Sequence, residues 1–141
     1  MAIALSPTLK RQMLDGTFNG AAGINYDAGV LEIRSGAAPG PEAAETGTLL
    51  ASLPIPADGF SAASGSSVAK LGTWQDTAAD ATGTAAHFRM RRSADAGGAS
   101  TTTSRIEGTV TATGGGGDIT LDNVSIATGQ TVTITSLTYN L

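Results

Sequence analysis

Apolar and charged side chains alternate through Leu31-Glu32-Ile33-Arg34, and the alternation ends a few residues later at Pro39-Gly40-Pro41. Period-two alternation marks a sheet strand with one buried face, whereas a helix repeats its apolar residues every three or four. The break is as informative as the run, because Pro has no N–H for a ladder and Gly loses the most backbone entropy in regular structure. Thr46-Gly47-Thr48 restarts a strand through Leu49, Leu50 and Leu53, and Pro54 and Pro56 close it. The link at residues 37–46 is expected to be exposed and to accept insertions. Thr-Gly-Thr recurs at residues 82–84, again ahead of a strand, and hints at a shared way of entering strands.

The same pattern fills the rest of the chain. In residues 84–91, Ala86, Phe88 and Met90 lie on one side and Ala85, His87, Arg89 and Arg91 on the other. Further on, Ile106, Gly108, Val110 and Ala112 oppose Arg105, Glu107, Thr109 and Thr111. Residues 68–74 are read as a strand and residues 119–121 as another, ending in an Asp122-Asn123 turn. Val132 and Ile134 share one parity, but Leu137, Tyr139 and Leu141 share the other. That switch near Thr135-Ser136 predicts a bulge or a change of sheet, because a one-residue offset turns every side chain over. Residues 58–67 and 93–104 read as loops, the first anchored by Phe60, and Gly114 to Gly117 as a flexible turn. About eight strands result, near residues 31, 50, 70, 87, 109, 119, 125 and 135. The expected fold is all-β, a jelly-roll-like antiparallel β-sandwich forming a single domain over residues 17–141.

Ahead of it, Ser6-Pro7 is a helix start, with Ser6 as cap and Pro7 in the first turn. Leu9, Met13 and Leu14 follow at helical spacing, and Gly16 is expected to end the helix. Residues 1–16 thus form a short N-terminal helix or arm, too short to be stable unless docked on the body or on a neighbour. Turns around a brief extended piece at Ile24 and Tyr26 are expected over residues 17–29.

Composition decides how such a fold is held together. Only 27 of the 141 residues are Ile, Leu, Val or Phe. A core this thin offsets backbone entropy of roughly 1–2 kcal/mol per residue poorly, so partner surfaces are expected to help. A net charge of -4 is too small to signal disorder, and a pI near 4.7 argues against nucleic-acid binding. No cysteine is present, which excludes disulfides and thiolate chemistry. No apolar run has the length of a membrane helix, and no basic segment precedes a long apolar one, so synthesis and assembly in a cytoplasm are expected.

Candidates for chemistry are few. A catalytic His87 would need an orienting carboxylate and a nucleophile, which no motif supplies. Four glycines without a following Lys-Ser/Thr do not make a phosphate loop. Asp118, Asp122 and Asn123 lack the spacing of a Ca²⁺ loop. No cofactor or metal is expected, and no enzyme activity. The row Arg89, Arg91 and Arg92, with Arg105, either pairs with carboxylates of a neighbouring subunit or forms a solvated strand face. Trp74, the sole Trp, reads as core or subunit interface.

Five segments carry a resemblance: L-E-I-R-S-G-A-A-P at residues 31–39, T-G-T-L-L-A-S-L at 46–53, A-T-G-T-A-A-H-F-R at 81–89, D-I-T-L-D-N at 118–123 and G-Q-T-V-T-I-T-S at 129–136. Together they resemble small virion proteins of tailed bacteriophages. The resemblance implies a particle component, above all a capsid decoration (cement) protein at the capsid surface. Its partners would be the major capsid protein and copies of itself, with no nucleic acid and no membrane. Leu5, Leu9, Met13, Trp74, Arg89, Arg91 and Arg92 are the contact candidates, with residues 1–14 as a docking arm. The alternative is a tail, head-tail junction or spike module that binds a receptor or glycan, since sandwiches present loops at one end.

Overall fold

The computed structural model describes residues 4–18 and 26–141. Among the described residues one helix, α1 (Pro7–Phe18), precedes eleven short strands: β1 (Val30–Arg34), β2 (Leu49–Pro54), β3 (Ser67–Ala69), β4 (Trp74–Asp76), β5 (Gly83–Thr84), β6 (His87–Arg91), β7 (Arg105–Ala112), β8 (Ile119–Leu121), β9 (Ser125–Ile126), β10 (Val132–Ile134) and β11 (Thr138–Asn140). The fold is all-β and sandwich-like with one short helix. The main sheet runs β2-β1-β6-β7-β8, antiparallel except between β7 and β8. Three two-stranded pairs, β10-β4, β11-β3 and β5-β9, complete the described strands.

The parity switch in the C-terminal segment is a change of sheet. Val132 to Ile134 pair with β4, and Thr138 to Asn140 pair with β3. The single strand expected over residues 68–74 is divided instead into β3 and β4, because the backbone turns at Gly72, whose φ is +69°. The two Thr-Gly-Thr triplets also part company. Gly47 has a φ of +71° and sits where a Cβ would lie 1.9 Å from the Ser35 carbonyl oxygen, whereas Gly83 is itself part of β5. One is a turn and the other a strand, so no repeat is present.

Gly114 to Gly117 form a tight crossover rather than a loose turn. Parallel strands ordinarily need a connection of a dozen or more residues. Here β7 and β8 run parallel, with Val110 opposite Ile119, across residues 113–118 alone. The return is possible because Gly114 and Gly116 adopt φ of +87° and +78°. A Cβ on Gly115 or Gly117 would also sit 2.8 Å from the Thr111 side chain.

Alternation gives the main sheet two different faces. On the apolar face Leu31 lies opposite Met90 and Ile33 opposite Phe88, and Met90 in turn faces Ile106 on β7. This face packs against a chain of aromatic rings: Phe18 meets Tyr26, Phe60 and Tyr139 at centroid distances of 5.8, 4.8 and 5.1 Å, and Phe60 meets Trp74 at 5.1 Å. Five of the six aromatic residues therefore share one contact chain. Such pairs contribute about 0.5–1.5 kcal/mol each beyond the area they bury. Trp74 is fully buried, and its indole N–H donates to the Leu71 carbonyl at 2.9 Å.

The helix belongs to this core. It continues past Gly16 to Phe18, and Leu14 and Phe18 are buried. Asp15 accepts a hydrogen bond from the Ala63 N–H at 2.8 Å, which ties α1 to the loop that carries Phe60. Of the extended piece expected near residues 24–26, Tyr26 is buried and Ile24 lies outside the described residues.

Packing across the sheet is close at Gly108, where a Cβ would stand 2.6 Å from the Phe88 ring and 2.9 Å from the Asp118 carboxylate. Gly108→Ala is expected to cost about 1–3 kcal/mol through overpacking. Gly98→Ala, in open space, should stay within about 0.5 kcal/mol of the parent. Urea denaturation midpoints of the two variants check this contrast.

Candidate functional site

The opposite face of the main sheet carries the charges. Across three adjacent strands the register sets Glu32 beside Arg89 and Arg89 beside Glu107, with Arg34 beside His87 and Arg91 beside Arg105. A solvated face was one expectation for this row. Instead, residues 35–47 and 92–104 fold over it, and Glu32, His87, Arg89 and Asp95 are buried. Arg89 is 1 % exposed.

Each guanidinium is met by partners from its own chain. Arg89 forms an ion pair with Glu107, its Nε 2.6 Å from Oε1, and its Nη2 donates to the carbonyls of Gly40 and Ala43 at 3.0 Å each. Glu107 uses its other oxygen to accept the Gly40 N–H at 3.0 Å. Arg105 grips Asp95 with two parallel bonds of 2.6 and 2.7 Å and donates to the carbonyls of Gly98 and Pro41 at 2.6 and 3.1 Å. Arg91 reaches Glu32 at 2.5 Å and the Asp95 carbonyl. Arg34 bridges Glu32 and Glu45 at 3.2 and 2.5 Å. The forked pairs exploit the planar geometry that suits Arg to carboxylates.

The two covering loops are also bonded to each other, Glu45 N–H to the Gly97 carbonyl at 3.2 Å and Ser100 N–H to the Glu42 carbonyl at 2.9 Å. The link at residues 37–46 is mostly exposed, as expected, but it is also a working lid, because Gly40, Ala43 and Glu45 within it are half-buried against the charged face. An insertion beside Gly40, Ala43 or Glu45 would pull away the groups that satisfy Arg89 and Arg34.

Four carboxylates and four guanidinium groups make the layer electrically balanced, but its acids are not equivalent. Burial raises the Glu32 carboxyl, yet hydrogen bonds from Arg91 and the charges of Arg91 and Arg34 outweigh it and hold Glu32 below its ordinary value. Glu45 moves the other way, raised first by burial and then by the adjacent Glu32 carboxylate. Its Oε1 is buried without a hydrogen bond, 3.5 Å from Arg91 Nε and 3.9 Å from Arg89 Nη1. Asp95 is lowered chiefly by the hydrogen bonds from Arg105. Asp118, at the sheet edge, is lowered by the N–H and hydroxyl of Thr109.

His87 is buried in the same layer, and its Nδ1–H donates to the Gly36 carbonyl at 2.8 Å. The ring thus pins the start of the lid. Among the described residues no group of three or more His, Cys, Asp or Glu side chains is arranged to hold a metal ion.

The contact candidates are dispersed. Leu5 and Met13 are exposed, at 37 % and 44 %. The Leu9 side chain lies outside the described residues. Trp74 is interior, which removes it from the chain's own surface, because its indole closes the aromatic chain. Arg89 is interior as well, since its donors are taken by Glu107 and the lid. Arg91 is half-buried and committed to Glu32, and only Arg92 of the row is exposed. The partners that sequence reasoning missed are Glu32, Glu45, Asp95 and Glu107. One signal was available: Glu32/Arg34, Arg89/Arg91 and Arg105/Glu107 occupy the same parity on three neighbouring strands.

Comparison with family models, with curated proteins and with solved structures finds no match.

Removing one partner of a buried pair strands the other. Arg89→Met is expected to cost about 3–5 kcal/mol, and adding Glu107→Leu to restore part of it, as a double-mutant cycle in urea will show. The pH profile has two limbs. A raised Glu45 lets the folded chain bind a proton before the unfolded chain does, so stability rises as pH falls towards the ordinary Glu value of 4.5. Depressed Asp95, Asp118 and Glu32 act oppositely. Below their ordinary values of 3.8, 3.8 and 4.5 the unfolded chain binds protons first, and stability falls until the folded carboxylates also protonate. Urea midpoints against pH should show both limbs, with Glu45→Gln removing the rise and Asp95→Asn shallowing the fall.

Proposed function

We propose that this protein is a structural component of a tailed-bacteriophage particle, a capsid decoration protein that binds the outer shell and clamps neighbouring major capsid subunits. The observation that carries this reading is the arginine–carboxylate layer. Its four arginines, four carboxylates and one histidine, the side chains best suited to chemistry, are spent on locking two loops to a sheet. A lattice component needs this kind of rigidity, because a clamp that deforms transmits no load. The five segments that resemble phage virion proteins supply the particle, and two of them, at residues 31–39 and 81–89, contain Glu32, Arg34, His87 and Arg89 of the layer. A jelly-roll-like arrangement belongs to the same proposal, supported by the C-terminal strand that passes from β4 to β3.

Contact with the shell is assigned to the exposed apolar side chains Met13, on α1, and Leu71, just beyond the strand β3 against which α1 packs. Each such contact is weak alone, and the symmetry of a shell multiplies it. Capsids assembled with the protein should resist heat and chaotropes better than capsids without it, and Met13→Asp with Leu71→Asp should abolish the gain while leaving the isolated protein folded. Unchanged capsid resistance, or a defect confined to tail attachment, would overturn the clamp.

A further inference from the structure

A groove of about 280 Å³ lies between the segment joining β8 to β9 and the strand β10. Its floor is apolar, since Leu121, Ile126 and Val132 line it and are buried. Its rim is polar, formed by Asp122, Asn123, Gln130 and threonines. Among the described residues no aromatic and no cationic side chain lines it.

Two rim residues are held in a set orientation. The Asn123 carboxamide oxygen accepts the Ser125 N–H at 2.9 Å, and the Gln130 carboxamide oxygen accepts the Ala127 N–H at 2.9 Å. With each oxygen fixed, the NH₂ end of each amide is fixed as well, and neither NH₂ has a partner among the described residues. The backbone beneath them is tied down too. Gln130 N–H returns a bond to the Ala127 carbonyl at 3.0 Å, and the Gln130 carbonyl accepts from Ala79 N–H at 2.9 Å. Next to Asn123, the Val124 carbonyl accepts from Ala85 N–H at 2.8 Å. Groups already held in place lose little freedom when a ligand arrives. Asp122 adds the complementary group, a carboxylate with one long contact from the Thr113 hydroxyl, at 3.4 Å, and no ion pair among the described residues.

This set of groups disfavours charged ligands of either sign. An ammonium group carries donors only, so it would satisfy Asp122 and leave both NH₂ groups facing another donor. An anion carries acceptors only, so it would satisfy the NH₂ groups and meet the Asp122 carboxylate. A hydroxyl donates and accepts at once, and neighbouring hydroxyls on one ligand serve all three side chains. Flat aromatic ligands find no ring to stack on, and no three side chains gather here to hold a metal ion. The apolar floor suits a ligand that carries C–H groups between its hydroxyls. The volume is at the bottom of the range for small-molecule sites, about 300–1,000 Å³. We propose that this groove binds a saccharide unit, its C–H face on Leu121, Ile126 and Val132, neighbouring hydroxyls donating to Asp122 and others accepting from Asn123 and Gln130. The site is separate from the capsid contacts assigned to Met13 and Leu71, and it is tested on the isolated chain, so either reading can fail without the other.

The test follows amide resonances of the isotopically labelled intact chain while glucose, galactose, mannose or N-acetylglucosamine is added, each as the free sugar and as its methyl glycoside. At least one is expected to give saturable shifts at millimolar concentration, centred on residues 121–135 and including the side-chain NH₂ signals of Asn123 and Gln130. Equal binding of the methyl glycoside marks the end unit of a glycan, and binding of the free sugar alone marks a soluble sugar; both support the site. Asp122→Asn and Gln130→Glu keep the shape of each side chain and its bond to Thr113 or Ala127. Each should leave the rest of the spectrum unchanged and weaken the sugar by about tenfold or more. N-acetylalanine amide, an uncharged peptide, serves as the competitor. No saturable shift with any of the sugars, shifts centred outside the groove, affinity that survives both substitutions, or tighter binding of the peptide would each overturn the proposal.

Discussion

Arg89 is the residue on which the rest of the sheet depends. Taking a guanidinium out of water costs several kcal/mol, and the loss is offset only when its donors find well-placed acceptors. One acceptor, Glu107, stands directly across the strand pair. The others are backbone carbonyls of Gly40 and Ala43, which no strand can supply and which must be brought over by the chain between β1 and β2. The conformation of that link is thus set by a charge that has to be covered. Arg105 repeats the logic with Asp95 and Gly98, drawing in the loop between β6 and β7.

A sheet covered in this way needs only one apolar face, which is how a chain so poor in large aliphatic side chains forms a closed fold. The apolar face has the aromatic chain and the inward residues of β1, β6 and β7. The opposite face is closed by directional bonds, and these accept only one register. Sliding β6 by one residue against β1 would put Met90 over Glu32 and Arg89 over the aromatic rings. Apolar packing alone discriminates less sharply between such arrangements.

Strand positions were largely legible in the sequence, because alternation is a local property: β1, β2, β6, β7 and β10 all lie where it predicts them. The change of sheet after Ile134 was legible for the same reason. What could not be read was which strands become neighbours. Whether Arg89 faces solvent, another subunit or Glu32 and Glu107 depends on contacts far apart in sequence, and the lid that buries it is made of Gly, Pro and Ala, residues that carry no periodicity. The glycine run misled in the same way, since a flexible turn and a tight parallel crossover have the same composition. The difference is made by Thr111, against which the crossover packs. Trp74 was left between core and interface because a single Trp in a short strand has no periodic context.

The C-terminal segment that visits two sheets has a consequence for how the chain is made. β3 and β4 find their partners only in β11 and β10, after residues 77–131 have been added. At about 5–20 residues per second, ribosomal synthesis leaves both strands waiting for several seconds. β1, β2 and β6 all precede β10 and β11 in the chain, so a nascent chain that still lacks β10 and β11 leaves the Phe60–Trp74 edge uncovered. Chaperone engagement, if this chain draws it, falls in that interval.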